Sequence, residues 1–228
     1  MALRDFNRPM MLPMRVWDVP TRLFHWSCAV LVALSYLSVE LGWMRIHLLS
    51  GTAVLALLLF RFGWGCVGSE TARFSRFLAS PAKVVRQLVA FFRQPGPDTE
   101  VGNSAAGGWM VLVLLVLLAV QVASGLFSGQ RHGNLPGPLM HDVSASAANA
   151  AAAIHSANFN LLIAAVGLHV LAVLAYAVVR KHDLVRPMIT GVKRLPAATH
   201  QPRMASPLRA LLLAAASGLA AWLVGSRL

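Results

Sequence analysis

Apolar and polar positions alternate along this chain in long blocks rather than at the short periods of a soluble domain. Five blocks approach the roughly 20 residues a helix needs to cross about 30 Å of hydrocarbon. They run from Phe24 to Leu41, Ile46 to Val67, Gly108 to Phe127, Phe159 to Val179 and, more weakly apolar, Ala210 to Val224. Between the second and third lies SPAKVVRQLVAFFRQPGP, where Ser80 is placed to cap a helix, Pro81 suits its first turn and Pro95 stops it. Val84, Val85, Leu88, Val89 and Phe92 form an apolar stripe opposite Lys83, Arg86 and Arg93, which predicts an amphipathic helix lying on the membrane surface. The connection from Ser128 to Ala153 is rich in Gly, Pro, Ser and Ala, and its Ala-rich end starts the fourth helix early.

Composition agrees with the blocks. Hydrophobic residues make up 57% of the 228 and charged residues 12%, with a mean hydropathy of +0.64, far from a soluble balance. The expected class is an all-α membrane protein. Met1 to Pro13 carries scattered arginines without a short apolar core or a small-residue cleavage site, so no cleaved signal is expected and the first span stays in the mature chain.

The net charge of +12 raises the question of nucleic acid, but its placement argues topology instead. Arg4, Arg8, Arg15 and Arg22 precede the first span, and Arg61, Arg73, Arg76, Lys83, Arg86 and Arg93 belong to the connection after the second. Arg180, Lys181, Arg186, Lys193, Arg194, Arg203 and Arg209 follow the fourth, whereas the opposite side has only Arg45, Arg131 and Arg227. By the positive-inside rule the N-terminus and the long connection of this multi-pass protein face the cytoplasm. No nucleic-acid partner is expected.

Cys28 and Cys66 fall towards the cytoplasmic ends of their spans, where a disulfide is not expected. The C-x-x-C-H signature of covalently attached haem is absent, so any haem here is b-type, held by axial ligands and packing. There is no internal repeat, no Gly-rich phosphate loop and no acidic run to cage a hard cation.

The eight histidines sort by depth. His132 and His141 lie in the external connection and His182 and His200 in cytoplasmic segments, where water solvates them. His25, His47, His155 and His169 fall within spans, where ionisable side chains are costly and face the bundle interior or a functional site. Because successive spans alternate in direction, His25 is on the inner side and His47 on the outer. His169 lies roughly 21 Å deeper than His155, and their fourteen-residue spacing falls only some 40° short of four full turns, so they share a face in opposite halves of the bilayer. The heights pair His25 with His169 and His47 with His155.

Two pairs of facing imidazoles at two depths suit two haems, each with its iron held by a histidine on either side. A single metal cannot bridge the two levels, and zinc lacks further ligands, since no Cys, Asp or Glu accompanies either pair at tetrahedral spacing. The alternative is that each histidine merely hydrogen-bonds a neighbouring helix. Four histidines in two matched layers favour ligation.

RVWDVPTRLFHW, RIHLLSGTAVLALLLFRFGWG and IHSANFNLLIAAVGLHV, followed by LVRPMITGVK, resemble the bacterial cytochrome b561 family over roughly Arg15 to Lys193. That family includes the b-type cytochrome subunits of nickel-iron hydrogenases and is similar to the membrane subunits of formate dehydrogenases. The resemblance implies a four-transmembrane-helix di-haem bundle with His25, His47, His155 and His169 as axial ligands to the haem iron. It implies two haem b cofactors, quinone as substrate, and electron transfer between the quinone pool and a periplasmic redox protein such as a c-type cytochrome or hydrogenase. The pattern ends near Lys193, which divides the chain into a di-haem domain over residues 1–194 and an extension over 195–228 that contains the fifth span.

Arg22, Arg45 and Arg61 sit near span ends, where a guanidinium can pair with a haem propionate or simply snorkel to the headgroups. Gly51, Gly63, Gly125 and Gly167 allow either a flat macrocycle or plain helix packing close to the backbone. Trp17, Trp26, Trp43, Trp64 and Trp109 suggest an interfacial belt. Two other readings stand beside the relay: a superoxide–quinone oxidoreductase working without a protein partner, for which Arg45 and Arg131 speak, and a haem-free membrane anchor whose histidines only pack.

Overall fold

The computed structural model describes residues 10–91, 99–129 and 135–227. Arg4, Arg8, Phe92, Arg93, Pro95, Arg131 and His132 therefore lie outside the described residues. In chain order the elements are β1 (Met11–Arg15), α1 (Val19–Glu40), α2 (Met44–Val67), a 3-10 turn (Glu70–Ala72), α3 (Phe74–Phe77), α4 (Pro81–Phe91), α5 (Ala105–Leu126), a second 3-10 turn (Met140–Asp142), α6 (Ala145–Ala175), continued by a π-helical turn (Tyr176–Arg180), α7 (Val185–Thr190), β2 (Val192–Pro196) and α8 (Pro207–Gly225).

Among the described residues, five helices are long and apolar enough to span a membrane: α1, α2, α5, α6 with its π turn, and α8. Their caps explain boundaries that hydropathy misplaces. The Asp18 carboxylate accepts the Thr21 N–H at 2.7 Å and Pro20 sits in the first turn, so α1 begins five residues before the apolar block that starts at Phe24. Ser104 accepts from Gly107 N–H at the start of α5, and Ser144 from Ala147 N–H at the start of α6. The latter cap converts the Ala-rich stretch into helix well before Phe159.

The spans pack in sequence, α1 on α2, α2 on α5 and α5 on α6, while α8 lies along the other side of α2. Val54, Leu58, Leu115, Leu118 and Leu162 form the buried centre where α2, α5 and α6 meet. Elsewhere the helices turn apolar side chains outward: Leu161, Leu168, Leu171 and Leu174 of α6 are all more than half exposed. Water would penalise such a surface, and lipid does not.

A short antiparallel ribbon closes one end of the bundle, with Met11 opposite Pro196 and Arg15 opposite Val192. It seats Val16 and Leu195 completely out of solvent beside Met14 and Trp17. Gly191 makes the turn at its root. Its φ is +82°, its carbonyl accepts from Val16 and Trp17 N–H, and a Cβ there would lie 2.8 Å from the Trp17 carbonyl oxygen. We call this the ribbon end; the opposite, far end carries the α1–α2 turn at Gly42 and the connection into α6. The ribbon is a small addition to an otherwise all-α bundle: its strands are about 180 residues apart in sequence, and five-residue segments have no periodic signal of their own.

β2 runs across the boundary drawn at residues 194 and 195, and α8 is antiparallel to α2. Leu213 packs over Gly63 near the ribbon end, Thr52 lies against Gly225 near the far end, and Arg227 pairs with Asp142 at 2.9 Å. The amphipathic α4 docks through polar groups, Gln87 Oε1 accepting Ala106 N–H at 2.9 Å and the Ala90 and Phe91 carbonyls accepting from Arg180, and leaves Val85, Leu88 and Val89 exposed.

Candidate functional site

At the far end α2 presents His47 and α6 presents His155, their ring centres 6.1 Å apart and their planes perpendicular. Backbone carbonyls orient both rings. His47 Nδ1 lies 3.0 Å from Ser35 O, and His155 Nδ1 lies 2.8 Å from Gln121 O. Only an N–H can meet a carbonyl oxygen, so each ring carries its proton on Nδ1 and keeps a lone pair on Nε2. The Gln121 amide nitrogen is 3.2 Å from His155 Nε2, and its Oε1 accepts from Asn158 Nδ2 at 2.7 Å. A cavity of about 420 Å³ adjoins the pair, bordered by Ser35, Tyr36, Gly51, Gln121 and Phe159 among others.

At the ribbon end His25 of α1 meets His169 of α6, with ring centres 6.4 Å apart and planes at 59°. Trp26 stands edge-on to His25 and donates its indole N–H to Met188 O. His25 Nδ1 and Arg22 Nε are buried without a hydrogen-bond partner among the described residues, although a terminal nitrogen of Arg22 donates to Ile189 O. Arg61 is 4% exposed, which corrects the snorkelling alternative: its Nη1 donates to Ala72 O, and its guanidinium lies 5.0 Å from the Phe74 ring centre and 5.9 Å from those of Phe24 and Phe77. The aromatic box and a short distance to a carbonyl make the interior a better host than the headgroup layer. Arg45 is exposed at the far end.

Both pairs meet a simple geometric test. A metal–imidazole nitrogen bond is about 2.0–2.1 Å, and a further ångström or so separates that nitrogen from the ring centre, so two imidazoles facing each other across one iron have centres roughly 6 Å apart. Among the described residues no three His, Cys, Asp or Glu gather as a metal site. Of the glycines singled out, Gly51 and Gly167 have nothing within 4 Å of an added Cβ, Gly125 faces the His155 ring, and Gly63 serves the packing of α8.

The remaining candidates fall elsewhere. His141 and His200 are exposed and His182 is half-buried, all outside the spans. Trp26, Trp43 and Trp109 are exposed near helix ends, but Trp17 and Trp64 are buried, and Trp64 donates its indole N–H to Asp18 at 3.0 Å. These two belong to the core rather than to an interfacial belt. Sequence reasoning passed over Ser35, Gln121 and Asn158. Uncharged polar residues inside α5 and α6 were the available signal for the last two, whereas Ser35 acts through its carbonyl, which no side-chain pattern marks.

Residues 16–191 match the family model described as prokaryotic cytochrome b561, a range that contains all four paired histidines. No curated protein and no solved structure matches the chain.

Proposed function

The chain belongs to the prokaryotic cytochrome b561 family, multi-pass membrane cytochromes that bind haem b and transfer electrons, and from that premise we propose that it carries electrons across a bacterial inner membrane through two haems. His25 and His169 would hold the haem at the ribbon end, His47 and His155 the haem at the far end. The single observation that supports this most strongly is the recurrence of one arrangement at two depths, with ring centres 6.4 Å and 6.1 Å apart.

When bound, haem iron supplies reversible one-electron transfer. The chain does the rest. Ser35 O and Gln121 O fix the tautomers of His47 and His155 and raise the basicity of the Nε2 atoms that would hold a haem iron. Arg22 and Arg61 at the ribbon end, and Arg45 at the far end, are the cations available to the haem carboxylates. The leucine and valine core between the two levels excludes water, which keeps the local dielectric low. His25, whose buried Nδ1 has no partner among the described residues, is poorly explained as a packing histidine.

With the Lys and Arg excess on the cytoplasmic side, the N-terminus and ribbon end are cytoplasmic and the far end is periplasmic. Quinone exchanges electrons near the ribbon end, and a periplasmic redox protein, such as a c-type cytochrome or a hydrogenase, docks at the far end. A redox titration of the purified protein followed in the visible should resolve two b-type components. Resolving fewer would end the two-haem reading.

A further inference from the structure

Glu70, Arg73, Arg76, His200 and Arg203 surround a cavity of about 270 Å³ at the ribbon end, well separated in sequence from the paired histidines. Two chain segments build it. Glu70 N–H donates to Arg203 O at 2.9 Å, Arg203 N–H returns a bond to Glu70 Oε2 at 3.1 Å, and Ala205 N–H donates to Ser69 Oγ at 2.9 Å. Arg73 donates through Nε to Gly68 O at 2.8 Å, which holds its guanidinium and leaves the terminal nitrogens for another acceptor. The ion pairs of Glu70 with Arg76 and His200 are loose, at 3.8 Å and 3.7 Å, so one carboxylate does not satisfy the cations around it. With His200 neutral the lining still holds two positive charges in excess.

The position narrows the choice of anion. α2 ends at Val67 and α8 begins at Pro207, so the cavity lies where spanning helices leave the hydrocarbon. Just beyond it along α8, Leu208, Leu211 and Leu212 are each more than 60% exposed. A guanidinium fork matches two phosphate oxygens, and basic pockets between spanning helices at the membrane surface recognise anionic headgroups. We propose that this pocket binds the phosphate of an anionic phospholipid whose acyl chains lie against the leucine face of α8.

Native mass spectrometry of the haem-loaded protein, titrated with phosphatidylglycerol, with phosphatidylcholine and separately with inorganic phosphate, tests the assignment. Wild type should bind phosphatidylglycerol in preference to phosphatidylcholine. Replacing Arg73, Arg76 and Arg203 together by Gln should reduce that preference roughly tenfold or more, with the haem spectrum retained, whereas Arg186→Gln on α7 should leave it intact. Glu70→Gln keeps the hydrogen-bonding shape and removes the competing charge, so it should raise phosphatidylglycerol affinity; this arm decides if the triple variant does not fold. Equal lipid preference in the triple variant and Arg186→Gln would overturn the proposal, as would unchanged affinity in Glu70→Gln. Inorganic phosphate binding as tightly as phosphatidylglycerol would overturn the lipid as the source of the phosphate.

Discussion

Gly125→Ala probes a close contact with the far-end histidine pair. A Cβ at Gly125 would lie 2.9 Å from His155 Cε1 and 3.1 Å from Nδ1, whereas carbon atoms settle at about 3.5–4.0 Å. The ring must therefore move by roughly half an ångström, away from the position in which Nδ1 lies 2.8 Å from Gln121 O. Loss of such an orienting bond typically lowers metal affinity by about 10- to 100-fold, or about 1.4–2.8 kcal/mol. The fold should survive, because Ala is better than Gly inside a helix by about 1 kcal/mol. Visible spectra and electron paramagnetic resonance of the purified variant should show the far-end haem depleted or its signal shifted, with the ribbon-end haem unchanged. Gly218→Ala on α8, where nothing lies within 4 Å of the added carbon, is the matched control. Full occupancy and unshifted signals of both haems in Gly125→Ala would refute the claim that Gly125 seats the His155 ring.

Three further outcomes follow from the same geometry. His169→Ala should remove the ribbon-end haem and leave the far-end spectrum, and loss of both in a protein that still folds would show that the pairing is wrong. Asp18→Ala strands the buried indole N–H of Trp64 and the capped Thr21 N–H. We expect it to cost about 2–3 kcal/mol, read as a lower thermal midpoint in detergent, while Asp18→Asn should recover part of the loss; an unchanged midpoint in Asp18→Ala would discount the cap. The Arg203 N–H bond, assisted by Arg76 and His200 and opposed by burial, holds the Glu70 carboxyl below its ordinary range. Its contribution is thus complete above the unfolded value of about 4.3 and disappears as pH falls through the lower folded value. Protection of the Arg203 and Ala205 amides, corrected for the intrinsic pH dependence of exchange, should fall only in that acidic window, and Glu70→Gln should flatten the dependence.

Much of the candidate site was legible because it rests on two regular quantities. Hydrophobic blocks of membrane-spanning length give the alternation of direction, and a constant rise per residue turns sequence spacing on one helix into depth. His25, His47, His155 and His169 could therefore be grouped by level before any contact was known. Hydropathy served less well at helix ends. The start of α1 depends on Asp18 and Pro20, two residues whose action is local hydrogen bonding and restricted φ, and the apolar count begins only at Phe24.

The amino-acid order alone was enough to specify an all-α membrane protein, its spans, and two histidine levels, since each follows from local composition and helical geometry. Tertiary packing decided how the levels are built: which carbonyl each far-end ring faces, that Gln121 and Asn158 join His155, and that Arg61 enters an aromatic box instead of reaching for the headgroups. It also decided that Met11–Arg15 pairs with Val192–Pro196 and that α8 lies on α2 through Gly63 and Gly225. These are contacts between distant segments, in which each partner's contribution depends on the shape and unpaired groups of the other. Periodicity within one segment carries no record of them.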